Sequence, residues 1–138
     1  MATGLQTLDY EALATFRYNL RKFLRFSKEF LTTTAKLTPE QYEALLALKI
    51  FASDDGMLVG QLSERLQVKH HTAVALTKRL VAGKLITKQR GRADRRHVYV
   101  KLTETGSALL EVLAAVHRDA IRVHSSEMIK ALKHLQKL

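Results

Sequence analysis

Between Gly83 and Thr103 the spacing of apolar residues, three and four apart through most of the chain, changes to two. Leu85-Ile86-Thr87-Lys88-Gln89-Arg90 reads as a β-branched strand and Gly91-Arg92-Ala93-Asp94 as a turn. His97-Val98-Tyr99-Val100-Lys101-Leu102 alternates as a second strand, with Val98, Val100 and Leu102 facing in and His97, Tyr99 and Lys101 facing out. The chain is therefore expected to be mainly α with one small β-hairpin set into it.

The helical remainder has legible ends. Over residues 8–33, Tyr10, Leu13, Phe16, Leu20, Phe23, Leu24, Phe30 and Leu31 predict a long first helix, its Phe-rich face buried in the core or against a second copy. Thr38 can cap a second helix running from Pro39 to about Ala52, with Gln41 closing a capping box. Ser53-Asp54-Asp55-Gly56 is a turn by composition. A short amphipathic helix over 59–66 uses Leu62 and Leu66, and another over 68–82 directs Ala73, Leu76 and Leu80 inward. Two short helices joined by a few residues make a helix-turn-helix. Thr103 can cap a helix over 104–124, and a last helix follows a break at Ser125-Ser126.

Charge locates the function. The 138 residues, 46% apolar, suit one domain, and their net charge of +10 calls for an anionic partner. From Lys69 to Lys101 ten cations face one acid, Asp94, so this quarter carries +9 and the remainder +1. A basic helix and a basic hairpin tip thus lie side by side in sequence. A helix fits the major groove of B-DNA, and an arginine-tipped hairpin reaches the narrow minor groove beside it. There is no cysteine, which excludes disulfide scaffolds, thiol nucleophiles, Cys-based zinc sites and Cys-based oxidant sensing. The N-terminal stretch lacks the pattern of a secretion signal and no apolar run is long enough to span a bilayer, so no membrane partner and a cytoplasmic location are expected.

The segment Asp94-Arg95-Arg96-His97-Val98-Tyr99-Val100-Lys101-Leu102-Thr103-Glu104-Thr105-Gly106 resembles the wing signature of the MarR-type winged helix-turn-helix transcription regulators: an Asp, one residue, an Arg, then V-x-L-T-x-x-G. Leu62, Leu66, Val68, Thr72, Leu76, Arg79, Leu80, Leu85 and Ile86 also sit where that family's helix-turn-helix places similar residues. The resemblance implies a single domain over 1–138, with a winged helix-turn-helix DNA-binding lobe over 34–106 and N- and C-terminal dimerisation helices over 8–33 and 107–138. It implies that Asp94 braces the wing by pairing with a nearby arginine, that Arg96 enters the minor groove, and that Arg90, Arg92 and Arg95 add wing contacts. His70, His71 and Thr72 would open the recognition helix, the end presented to base edges. Ala75 and Lys78 share a face with His71, Lys78 meeting a phosphate or a guanine.

A twofold homodimer would place two recognition helices about one DNA turn apart, on a pseudo-palindromic operator in double-stranded DNA, with repression by promoter occlusion as the usual output. The resemblance also implies a crevice between the dimerisation helices and the lobe for a small aromatic or phenolic effector. Arg17, Tyr18 and Arg21 lie on the first helix, where surface or interface packing is their other role, and no ligand-binding residue is assigned. Three departures stand out. Lys69 replaces a capping Ser or Asp, Gln67 replaces a turn glycine, and Gly83 precedes Lys84 where the family more often has the glycine second.

Other readings stay open at this point. Enzyme activity finds no Gly-rich phosphate loop, no cysteine and no nucleophile elbow, and no cofactor is expected. A metal-responsive regulator would use His117 and His124, two helical turns apart, with Glu127 or His134 across a dimer. A sequence-tolerant architectural nucleic-acid-binding protein would use the basic segment electrostatically, with nothing specific asked of His70, His71 or Thr72.

Overall fold

The computed structural model describes residues 4–137. Its elements run α1 (Thr7–Ala35), α2 (Pro39–Phe51), β1 (Met57–Leu58), α3 (Val59–Leu66), α4 (His70–Ala82), β2 (Ile86–Arg90), β3 (Val98–Leu102), α5 (Glu104–His124) and α6 (Ser126–Gln136). The capping chemistry explains the sharpest boundary. The Thr38 hydroxyl accepts from the Gln41 amide at 3.2 Å and the Gln41 side chain accepts from the Thr38 amide at 2.8 Å, with Pro39 opening α2.

Two expectations are corrected. The sheet has three strands, in the order β1-β3-β2, because Met57 and Leu58 pair antiparallel with Val100 and Tyr99. Gly56 makes this pairing possible: its φ is 106°, and a Cβ there would stand 2.6 Å from the Val100 carbonyl oxygen. The recognition helix starts at His70 rather than at Val68. Val68 enters the turn, its amide donating to the Ser63 carbonyl at 3.1 Å, and Lys69 is an extended N-cap whose side chain makes no capping bond.

The absent glycines are replaced by strained side chains. Gln67 takes the left-handed conformation at φ 55° and donates its side-chain amide to the Glu64 carbonyl at 2.8 Å, which offsets part of a cost of roughly 1–2 kcal/mol. Lys84, not Gly83, holds the left-handed position after α4, at φ 62°. Thr103 then fastens the two halves of the lobe. Its hydroxyl donates to the Lys84 carbonyl at 2.8 Å and accepts from the Gly106 amide at 3.0 Å. Gly106 lies so close to the Leu85 carbonyl that a Cβ would collide with it.

Leu45, Leu62, Leu80, Ile86 and Val100 form the sealed centre of this lobe, joined by Leu31 of α1 and Leu113 of α5. Of the strand residues expected to face in, Val100 is buried while Val98 and Leu102 are half-buried; Tyr99, expected outside, is half-buried too. The Phe-rich stripe of α1 is only partly used within the protomer. Phe16, Leu20, Phe23 and Phe30 are half-buried and Leu31 is buried, but Tyr10, Leu13 and Leu24 stay exposed.

Candidate nucleic-acid interface

Helix α4 turns Ala73, Leu76, Thr77 and Leu80 into the core, which leaves His70, His71, Thr72, Ala75 and Lys78 on its exposed side. His71, Ala75 and Lys78 follow at helical spacing and so share one face. The first turn carries no acid and no side-chain cap. The Thr72 amide bonds to the Lys69 carbonyl at 3.0 Å, but no side chain meets the positive end of the helix dipole, an arrangement suited to phosphate oxygens.

Helix α4 packs on β2, and the hairpin formed by β2 and β3 carries the other cations. Its tip is internally bonded. Asp94 Oδ1 accepts from the Arg96 amide at 3.0 Å and from Arg96 Nε at 3.1 Å, and Asp94 Oδ2 accepts from Arg96 Nη2 at 3.0 Å. The arginine expected to receive this brace is thus Arg96 itself. Its side chain and amide hold the Asp94 carboxyl below the usual carboxylate range, and the carboxylate in turn raises the Arg96 guanidinium. The fork geometry fixes the guanidinium plane while the side chain stays in solvent.

The other wing arginines divide into two kinds. Arg92 and Arg95 are exposed, with no hydrogen bond from either guanidinium among the described residues. Arg90 instead donates Nη1 to the Arg95 carbonyl at 2.9 Å, tying the end of β2 to the tip. Together with the Gly91 amide donating to the His97 carbonyl at 2.8 Å, this bond closes the turn. The Arg90 guanidinium thus has a partner within the chain, whereas those of Arg92 and Arg95 have none among the described residues.

The metal reading of His117 and His124 is overturned. His117 is 4% exposed and both its ring nitrogens are taken: Nδ1 donates to the Leu113 carbonyl at 2.8 Å, and Nε2 lies 2.9 Å from the Ser27 hydroxyl. The ring stacks on Tyr42 at 4.4 Å and meets Phe23, Phe26 and Phe30 edge to face. This aromatic cluster fills the junction of α1, α2 and α5. His134 of α6 binds Asp9 of α1 at 2.9 Å, while His124 and Glu127 lie on the surface. Among the described residues no three His, Cys, Asp or Glu side chains come together as a metal site. Arg17, Tyr18 and Arg21 are exposed on α1.

Residues 35–97 match the MarR family. Comparison with curated proteins finds no match. Among solved structures, the chain is similar to AbsC, a MarR family transcriptional regulator from Streptomyces coelicolor, at 22% identity and a TM-score of 0.77, over 96% of this chain and 92% of that one. It is similar to MepR, a transcription regulator of the Staphylococcus aureus multidrug efflux pump MepA, at 22% identity and a TM-score of 0.75, over 88% and 96% of the two chains. A mutant MarR from E. coli complexed with operator DNA shares 21% identity and a TM-score of 0.67, over 86% of each chain. At these identities the likeness is one of fold, and it extends the winged helix-turn-helix architecture beyond the matched segment. Among the described residues no helix is long and apolar enough to cross a membrane.

Proposed function

We propose that the chain is a DNA-binding transcription regulator of the MarR family rather than an enzyme, working as a homodimeric repressor on a pseudo-palindromic operator. The observation that carries this reading is the exposed cationic side of α4 beside a wing whose Arg96 is already oriented by Asp94. His70, His71 and Thr72 read base edges in the major groove, and Lys78 meets a phosphate or a guanine farther along. Arg96 enters the minor groove, and Arg92 and Arg95 contact the backbone beside it.

The dimer is supported by apolar side chains that the protomer leaves in water. Leu8 and Leu13 of α1, Ile121 and Val123 of α5, and Ile129, Leu132 and Leu135 of α6 are all exposed. A twofold axis through these helices sets two recognition helices against half-sites about 34 Å apart. A small aromatic or phenolic effector would act between the dimerisation helices and the lobe. Its binding would change the half-site spacing by moving the lobes relative to the arm.

Titration of a duplex from the gene's own upstream region against a scrambled duplex at equal salt tests the reading. Much tighter binding to the former is expected. Equal affinity for both would replace it with the architectural alternative. Selection from a random pool then reports palindromy and spacing together.

A further inference from the structure

The near-neutral sum outside residues 69–101 conceals a second cationic surface. Between Ala12 and Lys28 the chain holds Arg17, Arg21, Lys22, Arg25 and Lys28 and no acidic residue. All five are exposed. Helix α1 turns Ala12, Phe16, Phe23 and Ser27 inward, and at 100° per residue Arg17, Arg21, Arg25 and Lys28 fall in one stripe on roughly the opposite side. Successive arginines stand one helical turn apart, about 6 Å, and the stripe is about 16 Å long. Like charges at that spacing weaken a helix unless an anion faces them. Of these five cations only Arg25 has an ion-pair partner among the described residues, the surface Glu29 at 3.3 Å.

We infer that this stripe binds the phosphate backbone of a second DNA segment, separate from the operator held by α4 and the wing. The inference rests on the DNA-binding reading above. Four features support it. Burying the stripe in the proposed dimer would strand its cations away from water, which costs far more than apolar contact returns, so it stays outside. One strand of duplex presents about one phosphate per 3.4 Å of axis, so the stripe spans four or five of them. Tyr18, 60% exposed, stands among the cations, with Lys22 5.2 Å from its ring. An aromatic ring interleaved with cations suits nucleic acid better than an acidic polypeptide. Finally, α1 packs on α6, α2 and α5 whereas α4 packs on α3, α2 and β2, so α2 stands between the two cationic faces. A duplex on one is not the duplex on the other, and a dimer holding both joins two DNA segments.

A sandwich assay on the whole protein tests this. Immobilised upstream duplex is saturated with protein, washed, and offered a fluorescent scrambled duplex of 30 base pairs. The unmodified protein is expected to retain the second duplex. A variant with Arg17→Gln, Arg21→Gln, Arg25→Gln and Lys28→Gln together should load on the first duplex equally and lose at least nine-tenths of the capture. In solution, a protein with Arg92→Ala, Arg95→Ala and Arg96→Ala should still bind scrambled duplex, and adding the four α1 changes should lower the salt slope of that binding by about 3 to 4 per stripe. Equal capture by both proteins, or none by the unmodified protein once loaded, overturns the inference. Displacement of the second duplex by polyglutamate at lower charge concentration than by DNA also overturns it, in favour of an acidic protein partner. Failure to load on the first duplex in preference to a scrambled one is a different result and counts against the operator reading itself.

Discussion

The lobe and the helical arm solve burial differently. From α2 to β3 the chain closes on itself: Ala44, Leu45, Leu62, Ala73, Leu80, Ile86 and Val100 are at most 2% exposed, and Gly56, Gln67 and Lys84 each sit in a turn geometry fixed by a named contact or hydrogen bond. The arm is unfinished. Of the 29 residues of α1 only Ala12, Ser27 and Leu31 are buried, and α6 buries only Ala131. A domain that leaves its apolar surplus on the arm and sets the cations of α4 and the wing on the lobe separates assembly from operator recognition, and the two can be broken separately.

The arm is where the largest effect on function is expected. Val123→Asp combined with Ile129→Asp changes side chains that are 70% and 47% exposed, so the protomer should keep its fold. Sedimentation should show a monomer, and operator affinity should fall by a factor of 10² to 10⁴ as two half-sites become independent. A dimer that survives both changes would place the interface elsewhere. Leu62→Ala is the counterpart in the lobe. Leu62 is fully buried, so truncation should cost about 2–5 kcal/mol in urea unfolding, with the dimer unchanged where the chain is folded.

Next in size is the wing. Arg96→Ala should weaken operator binding by about 1–3 kcal/mol and leave both fold and dimer intact, as read by anisotropy and sedimentation. Asp94→Asn tests orientation apart from charge: the cation stays and its fork is lost, so specificity over scrambled DNA should fall more than affinity for scrambled DNA. The pH dependence follows from sign. The Asp94 carboxyl lies below its ordinary value because Arg96 bonds to it, so the brace is fully present above the ordinary carboxylate range and lost only as pH falls through the lowered value. Amide signals of Gly91 and His97 should therefore report an ordered wing from pH 7.5 to 5, and earlier disorder would mean that Asp94 is not the brace.

This division also explains what could be read from residues alone. Thr38-Pro39-Gln41, the change of period at Gly83 and the cap at Thr103 are local signals, and the boundaries they imply match the structure. Strand β1 is two residues long, shorter than any periodicity, and exists because Val100 and Tyr99, more than forty residues away, offer a free edge. His117 and Ser27 lie on helix faces otherwise read as apolar, and the Ser27 hydroxyl and His117 Nε2 are partners 90 positions apart. Such a pair becomes legible when the helices are placed together. The exposed residues of α4 were legible because its inward positions are, and the outward ones follow by difference.

The smallest expected effect separates contact from support within one cluster. Arg90 and Arg92 are two residues apart on the same hairpin, yet Arg90 is bonded to the Arg95 carbonyl and Arg92 to nothing of the chain's own among the described residues. If Arg92 neutralises a phosphate, Arg92→Ala should lower the slope of log affinity against log salt by about 0.9 per subunit. Arg90→Ala removes one surface hydrogen bond, which is worth about 0.5–1.5 kcal/mol at most to the order of the tip. Its affinity loss should be a few-fold, equal at low and high salt, and accompanied by faster hydrogen exchange at Gly91 and His97. A reduced slope for Arg90→Ala, with exchange unchanged, would return Arg90 to the contact residues and show that its bond to Arg95 opens when DNA arrives.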